Sequence, residues 1–192
     1  MNSLFFIVSL IAATLALTVP PDLPNGAYHA SLSHTGNIAF EGLPFLGPNG
    51  SLPPSGTNPQ ALPHPPKHPK RGDQTGCPWD GTRHINADAS DVAYNNFKQS
   101  TLTQTAILPS RSIFVVVQDM TFWYACNYHR EGVYLITPVD LGIALASITY
   151  RCGRGLAGWD HLRGPDVTLG VESVGFGVCR VWYQKGVRGS GY

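Results

Sequence analysis

The sequence predicts an α+β fold, an antiparallel sheet with two helices on one face in the order β-α-β-β-α-β, preceded by a disordered pro-region. Three observations lead there. Twelve of the 16 prolines lie between Pro20 and Arg71, a stretch without cysteine. All four cysteines, Cys77, Cys126, Cys152 and Cys179, follow that stretch. Beyond it, two segments of helical periodicity alternate with runs of β-branched and aromatic residues.

From the amino terminus, Leu4 to Leu17 is an apolar run broken only by small residues. At about 14 residues it is shorter than the roughly 20 that cross a bilayer, and it reads as the core of a secretory signal in residues 1–18, with small residues for cleavage near Ala16 and Thr18. Residues 19–71 read as a proline-rich propeptide or linker. Proline cannot donate to a strand ladder, and such a composition buries too little surface to offset the entropy of ordering. Within it, Gly26–Leu32 and Ile38–Phe40 alternate weakly enough for a strand or hairpin. Lys70-Arg71 closes the stretch and offers a dibasic processing site, with cleavage expected after Arg71. The sequon Asn49-Gly50-Ser51 lies inside it.

Residues 72–192 form the expected mature domain. Asp88-Ala89-Ser90 supplies cap candidates for a helix near Ala89 to Gln99, with Ala89, Ala93 and Phe97 at i, i+4, i+8. Ile113–Val117 and Thr121–Cys126, joined by Gln118-Asp119-Met120, predict a hairpin. Thr137-Pro138-Val139-Asp140 is a helix start, with a hydroxyl cap, proline at N1 and a carboxylate at N3. Leu141, Leu145, Ile148 and Cys152 then form one stripe, and Gly153 and Gly155 end the helix. Leu156–Leu162 and Val167–Val174 predict two more strands, Thr82–Ile85 a short first one, and Cys179–Tyr183 a terminal one. Four cysteines in an oxidising compartment imply two disulfides. In the hairpin, Phe122, Tyr124 and Cys126 share one face and Trp123 and Asn127 the other. Placing Cys152 on the buried helical stripe suggests Cys126–Cys152, which leaves Cys77–Cys179.

The chain is 43% hydrophobic and 13% charged, with a net charge of +1. The charged share is about half the usual quarter, and the near-neutral balance lacks the basic footprint of nucleic-acid binding. The cysteine spacings are too wide for a metal knuckle, so neither metal nor cofactor is expected. Gly153-Arg154-Gly155-Leu156-Ala157-Gly158 matches a dinucleotide fingerprint literally. It follows a helix and precedes a strand, the reverse of the order that chemistry needs, and reads as a cap and turn. His129 and Glu131, at i, i+2, with Arg151 and His161 elsewhere, supply the base, acid and phosphate clamp of a small ribonuclease, should they converge. Trp123 and Trp182 are candidates for an exposed recognition patch.

Asp22-Leu23-Pro24-Asn25-Gly26-Ala27-Tyr28, Lys70-Arg71, Tyr124-Ala125-Cys126-Asn127 and the stretch from Ala144 through Cys152-Gly153 to Gly158 resemble the small secreted cysteine-containing, effector-like proteins of filamentous ascomycete fungi. The mature domain is similar to killer-toxin-like α/β sandwiches and, more loosely, to Ecp2-type effector domains. The resemblance implies an extracellular protein acting on a host or competitor, and it carries over no catalytic residue. The leading expectation is a secreted, non-enzymatic protein that binds an extracellular or host protein or surface, without nucleic acid and without a membrane span in the mature form. The alternative is a secreted hydrolase, a ribonuclease by preference, using His129, Glu131 and Arg151.

Overall fold

Ile113 to Val117 is an uninterrupted apolar run, and every one of its side chains is buried. A strand without polar alternation must have both faces covered, and this one lies at the middle of a sheet covered on both sides. The computed structural model describes residues 17–32, 38–43, 74–78, 83–103, 106–129, 131–162 and 164–179. Strands β1 (Leu17–Thr18), β2 (Gly26–Leu32), β3 (Ile38–Gly42) and β4 (Gln74–Gly76) precede helix α1 (Ala87–Leu102). Strands β5 (Ile107–Leu108), β6 (Ser112–Gln118), β7 (Thr121–Asn127) and β8 (Tyr134–Leu135) lead to helix α2 (Pro138–Cys152). Strands β9 (Gly158–Leu162), β10 (Val167–Ser173) and β11 (Gly177–Val178) follow.

Seven of these strands form one antiparallel sheet in the order β3-β2-β6-β7-β10-β9-β4, and β1–β11 and β5–β8 form two-stranded additions. The fold class is the expected α+β arrangement. The β6–β7 hairpin, α2 and β9–β10 stand within a few residues of their sequence positions. Between Thr82 and Ile85 the structure has a single bridge, His84 to Leu156, and the short first strand is β4 instead. The hairpin expected at Gly26–Leu32 and Ile38–Phe40 is present as β2–β3, and β2 pairs directly with β6, so this hairpin belongs to the same sheet as the cysteine-bearing strands. The segment 44–73 with Asn49, Lys70 and Arg71, the residues Trp79 and Trp182, and the strand expected beyond Cys179 lie outside the described residues.

Both helices have local reasons for their positions. The Asn86 side chain caps α1 by accepting from the Asp88 and Ala89 amides, each at 3.1 Å, so the helix begins two residues before the expected Ala89. Its inward face is small at Ala89 and Ala93 and large at Phe97, which meets Phe114 with ring centroids 4.9 Å apart. Helix α2 opens on the expected capping box: Thr137 Oγ1 accepts from the Asp140 amide at 3.2 Å, and Asp140 Oδ2 accepts from the Thr137 amide at 2.9 Å. It ends at Gly153, whose φ of +104° no residue with a side chain adopts easily. Leu141, Ala144 and Ile148 are fully buried, with Leu145 and Cys152 packed partly against them.

Alternation along the strands makes two cores. Trp123 and Ala125 of β7, Phe114 and Val116 of β6, and Val167, Leu169 and Val171 of β10 face α1 and α2. Phe122, Tyr124 and Cys126, with Ile113, Val115 and Val117, face the other way, against Leu17, Val19, Val174, Val178 and Cys179 around β1–β11. This division corrects the disulfide pairing. Cys126 was rightly placed opposite Trp123, but the helices cover the Trp123 face, so Cys126 points away from α2 and cannot reach Cys152. The bonds are Cys126–Cys179, within the second core, and Cys77–Cys152, from the residue after β4 to the last turn of α2, with Cα separations of 6.0 and 5.6 Å.

One row crosses the full width of the second face: Gly42, Tyr28, Val115, Tyr124, Gly170, Trp159, Gly76. Each aromatic ring lies down over a glycine on a neighbouring strand. A Cβ on Gly170 would stand 2.5 Å from the Tyr124 ring, and one on Gly76 would collide with the Trp159 indole. Tyr28 lies 3.6 Å from where a Gly42 Cβ would stand, and its hydroxyl donates to the Pro24 carbonyl at 2.8 Å.

Candidate functional site

Two of the shortest strands carry exposed apolar side chains. β5 and β8 pair Ile107 with Leu135, so these two side chains stand side by side on one face, while Leu108 turns inward and is fully buried. Ile107 and Leu135 are 41% and 44% exposed, and the flanking Leu102, Val133 and Val139 are 60%, 68% and 68% exposed. The pair is anchored from behind: Asn127, buried at the end of β7, donates through Nδ2 to the Leu108 and Pro109 carbonyls, both at 3.0 Å. The Ile136 amide donates to the Ala106 carbonyl at 3.3 Å. Leu102 ends α1, and Val139 lies in the first turn of α2 after the Thr137 cap. All five belong to one pole, where α1 ends and α2 starts.

The proposed ribonuclease residues do not converge. β7 stops at Asn127, and the chain leaves the sheet before Glu131, with Gly132 at a φ of +100°. His129 and Glu131 are therefore exposed on the connection between β7 and β8, not side by side on a strand face as expected. Arg151 is exposed in the last turn of α2, on a different element from His129 and Glu131. No hydrogen bond or ion pair among the described residues links the three. Among the described residues, no three His, Cys, Asp or Glu side chains gather as a metal site would require.

His161 instead joins a network on the second face. Its Nδ1 is 2.9 Å from Thr168 Oγ1, its Nε2 is 3.6 Å from Asp166 Oδ1, and its ring lies 6.1 Å from that of Tyr128. The Tyr128 amide donates to the Asp166 carbonyl at 3.0 Å. Through Nδ1 on Thr168 and the nearby Asp166, His161 joins the β9–β10 turn to the end of β7. Burial pushes the Tyr128 hydroxyl up to about 12, the Thr168 hydrogen bond opposing and the Asp166 charge adding. Burial, then the neighbouring Tyr128 and Glu172, hold Tyr124 well above the ordinary 10. The folded state thus keeps protons that the unfolded chain releases above pH 10, so this stability is complete below pH 10 and is lost as pH rises toward 12. The urea midpoint should fall over that window by the equivalent of about 1.4 kcal/mol per pH unit for each such tyrosine. Tyr128→Phe should make the fall shallower.

At the opposite pole, Arg83 Nη1 donates to Glu172 Oε2 at 2.8 Å, and the Ser173 amide donates to Glu172 Oε1 at 2.9 Å. The Arg83 guanidinium also lies 3.8 Å from the Phe176 ring centre. Beside it a notch of about 30 Å³ opens between Ser90, Trp123, Thr149 and Gly155. That is room for a water, far below the roughly 300 Å³ at which small-molecule sites begin. Gly153 and Gly155 form the turn between α2 and β9 and Gly158 opens β9, so the three precede a strand, as their order indicated, and cradle no phosphate-binding helix start. Trp123, expected as a surface anchor, is 1% exposed: its Nε1 donates to Ser90 Oγ at 3.1 Å and its ring meets Tyr94 edge-on at 5.3 Å. Its strand faces the helices, and that removes it from any recognition surface.

No family model, curated protein or solved structure matches this chain. Its chemistry is therefore read from its own geometry, in which apolar exposure is concentrated where titratable groups are not clustered. The sequence reading missed Leu102, Ile107, Val133, Leu135 and Val139. The available signal was Val133, Leu135 and Val139 close to the α2 start, in segments too short to show a period. No helix of the described residues is long and apolar enough to cross a membrane.

Proposed function

We propose that this chain is a secreted, disulfide-stabilised binding protein of effector or toxin type, which docks on a host or competitor macromolecule, a protein with an apolar surface of its own. The observation that carries this is the pole of Leu102, Ile107, Val133, Leu135 and Val139, apolar side chains standing in solvent on a frame tied by two disulfides. Interface centres are depleted in charge and rich in such groups, and a rigid frame lowers the ordering cost of binding. The disulfides are consistent with an extracellular protein. A signal cut after Ala16 fits better than one after Thr18, because Leu17 pairs with Val178 and the Leu17 and Val19 side chains are buried. A second cut after Arg71 completes the proposed maturation.

His129, Glu131 and Arg151 are exposed on different elements with no hydrogen bond or ion pair joining them, which speaks against the ribonuclease reading. The test is a paired assay on the secreted protein. Immobilised wild type should capture a specific partner from host or competitor extracellular extract, and Leu135→Asp with Val139→Asp should weaken that capture at least tenfold while the urea midpoint stays in place. RNA turnover that His129→Ala or Glu131→Ala abolishes would overturn the reading in favour of a hydrolase.

A further inference from the structure

Lys70-Arg71 falls, in chain order, between β3 and β4, and of the strands before it β3 is an edge strand while β2 is an inner one. β2 lies between β3 and β6 in the seven-stranded sheet and is registered on β6 from Gly26↔Val117 to Ser31↔Ser112. Ala27 is buried in the core under the helices and Ala30 in the core on the opposite face, so the strand serves both. Its start is fixed by a two-way contact, in which Asn25 Nδ2 donates to Asp119 Oδ1 and the Asp119 amide donates to Asn25 Oδ1, both at 2.9 Å. Its hairpin is closed by the Leu43 amide donating to the Ala27 carbonyl at 2.9 Å. Further back, β1 pairs with β11, and the Gly175 amide donates to the Val19 carbonyl at 3.0 Å. The partners of β2 on β6, Asp119 at its start, and β11 and Gly175 beside β1 and Val19 all lie beyond Arg71.

We infer that cutting after Arg71 does not release the amino-terminal segment: the product is a two-chain molecule in which residues 17–43 remain as strands of the domain. This inference rests on the proposed processing at Lys70-Arg71. Loss of the segment would leave the backbone donors and acceptors of Ser112–Val117 that face β2 unpaired along one edge of β6. It would also strip Leu17, Val19 and Ala30 from the core that holds Ile113, Val115 and Val117, and Ala27 from beside Phe114 and Val116 in the other. An open edge with apolar side chains on both faces is the surface that strand addition satisfies, and the segment already supplies that strand. Neither disulfide crosses the cut, since every cysteine lies after Arg71, so the two chains are held without a covalent bond. Cleavage thus opens the connection between β3 and β4 and leaves the sheet whole. The exposed apolar pole is built entirely from residues of the second chain, so it is present before and after the cut.

The test treats the purified full-length secreted chain with a dibasic-specific endoprotease, with a Lys70→Ala, Arg71→Ala variant as the control for the position of the cut. Two bands are expected on a non-reducing denaturing gel. On native size exclusion at micromolar concentration both fragments should elute together at the volume of the uncut chain, with less than a tenth of the smaller one released. Separate elution of the smaller fragment from a larger one that keeps its circular dichroism would overturn the two-chain inference and leave the processing reading standing. A wild-type chain that resists the protease at this site would overturn both.

Discussion

Trp123→Ala is expected to lower the unfolding free energy by about 3–5 kcal/mol, the range for deleting a large aromatic side chain from a packed core. The ring is enclosed between the sheet and the start of α1, edge-on to Tyr94, with its indole nitrogen donating to Ser90. Truncation leaves a void bounded by α1, by the disulfide-tied α2 and by a strand paired on both sides, none of which collapses readily into the space. It also leaves the buried Ser90 hydroxyl without its donor, and Trp123→Phe should isolate that part at about 1 kcal/mol. Urea unfolding followed by circular dichroism, with the disulfides intact, measures both. A cost under 1 kcal/mol for Trp123→Ala would mean that the ring is not in the core and would restore it as a surface anchor.

The second large effect is expected from Cys77→Ala combined with Cys152→Ala. This bond closes a loop with a sequence separation of 75, for which chain entropy gives about 4 kcal/mol at room temperature. It also ties β4, a three-residue edge strand, to the end of α2, where the Gly158 backbone passes under Ile148 and Cys152. Loss of the bond should therefore loosen β4 and β9 before the rest of the sheet, seen as faster amide exchange at Thr75 and Asp160. Removing Cys126 and Cys179 together should cost nearly as much, since their separation of 53 changes the loop logarithm little. Peptide mapping without reduction should recover Cys77 linked to Cys152 and Cys126 linked to Cys179. Recovery of Cys126 linked to Cys152 would place the helices on the other face of the sheet.

Features with short-range causes were legible in the sequence. The α2 start depends on Thr137 and Asp140, three residues apart, and the β6–β7 hairpin on two apolar runs separated by a tight turn. Features that depend on distant partners were not. Tyr28 pairs with Val115 across 87 residues, and nothing in Gly26–Leu32 itself distinguishes an inner strand from a peripheral hairpin. β4 has three residues and exists because β9 pairs with it. The disulfide pairing required knowing which face the helices cover, and Ile113–Val117, apolar at every position, gives no sign of it. In the candidate site, the expected catalytic residues were grouped by a strand that in fact ends at Asn127. The apolar pole went unread because β5 and β8 are two residues each.

The row of rings lying on glycines across the second face has a consequence for how this sequence can change over generations. In Tyr124 with Gly170, and in Trp159 with Gly76, one partner occupies the volume that the other lacks. A side chain gained at the glycine is blocked while the ring remains, and a ring lost first leaves bare backbone exposed on a buried face. Neither single step is neutral, so each pair should be inherited as a unit and replaced, when it is, by coupled exchange. In a protein whose surface loops diverge freely, Gly76, Tyr124, Trp159 and Gly170 would be the positions by which distant kin are recognised after the rest of the sequence has drifted beyond alignment.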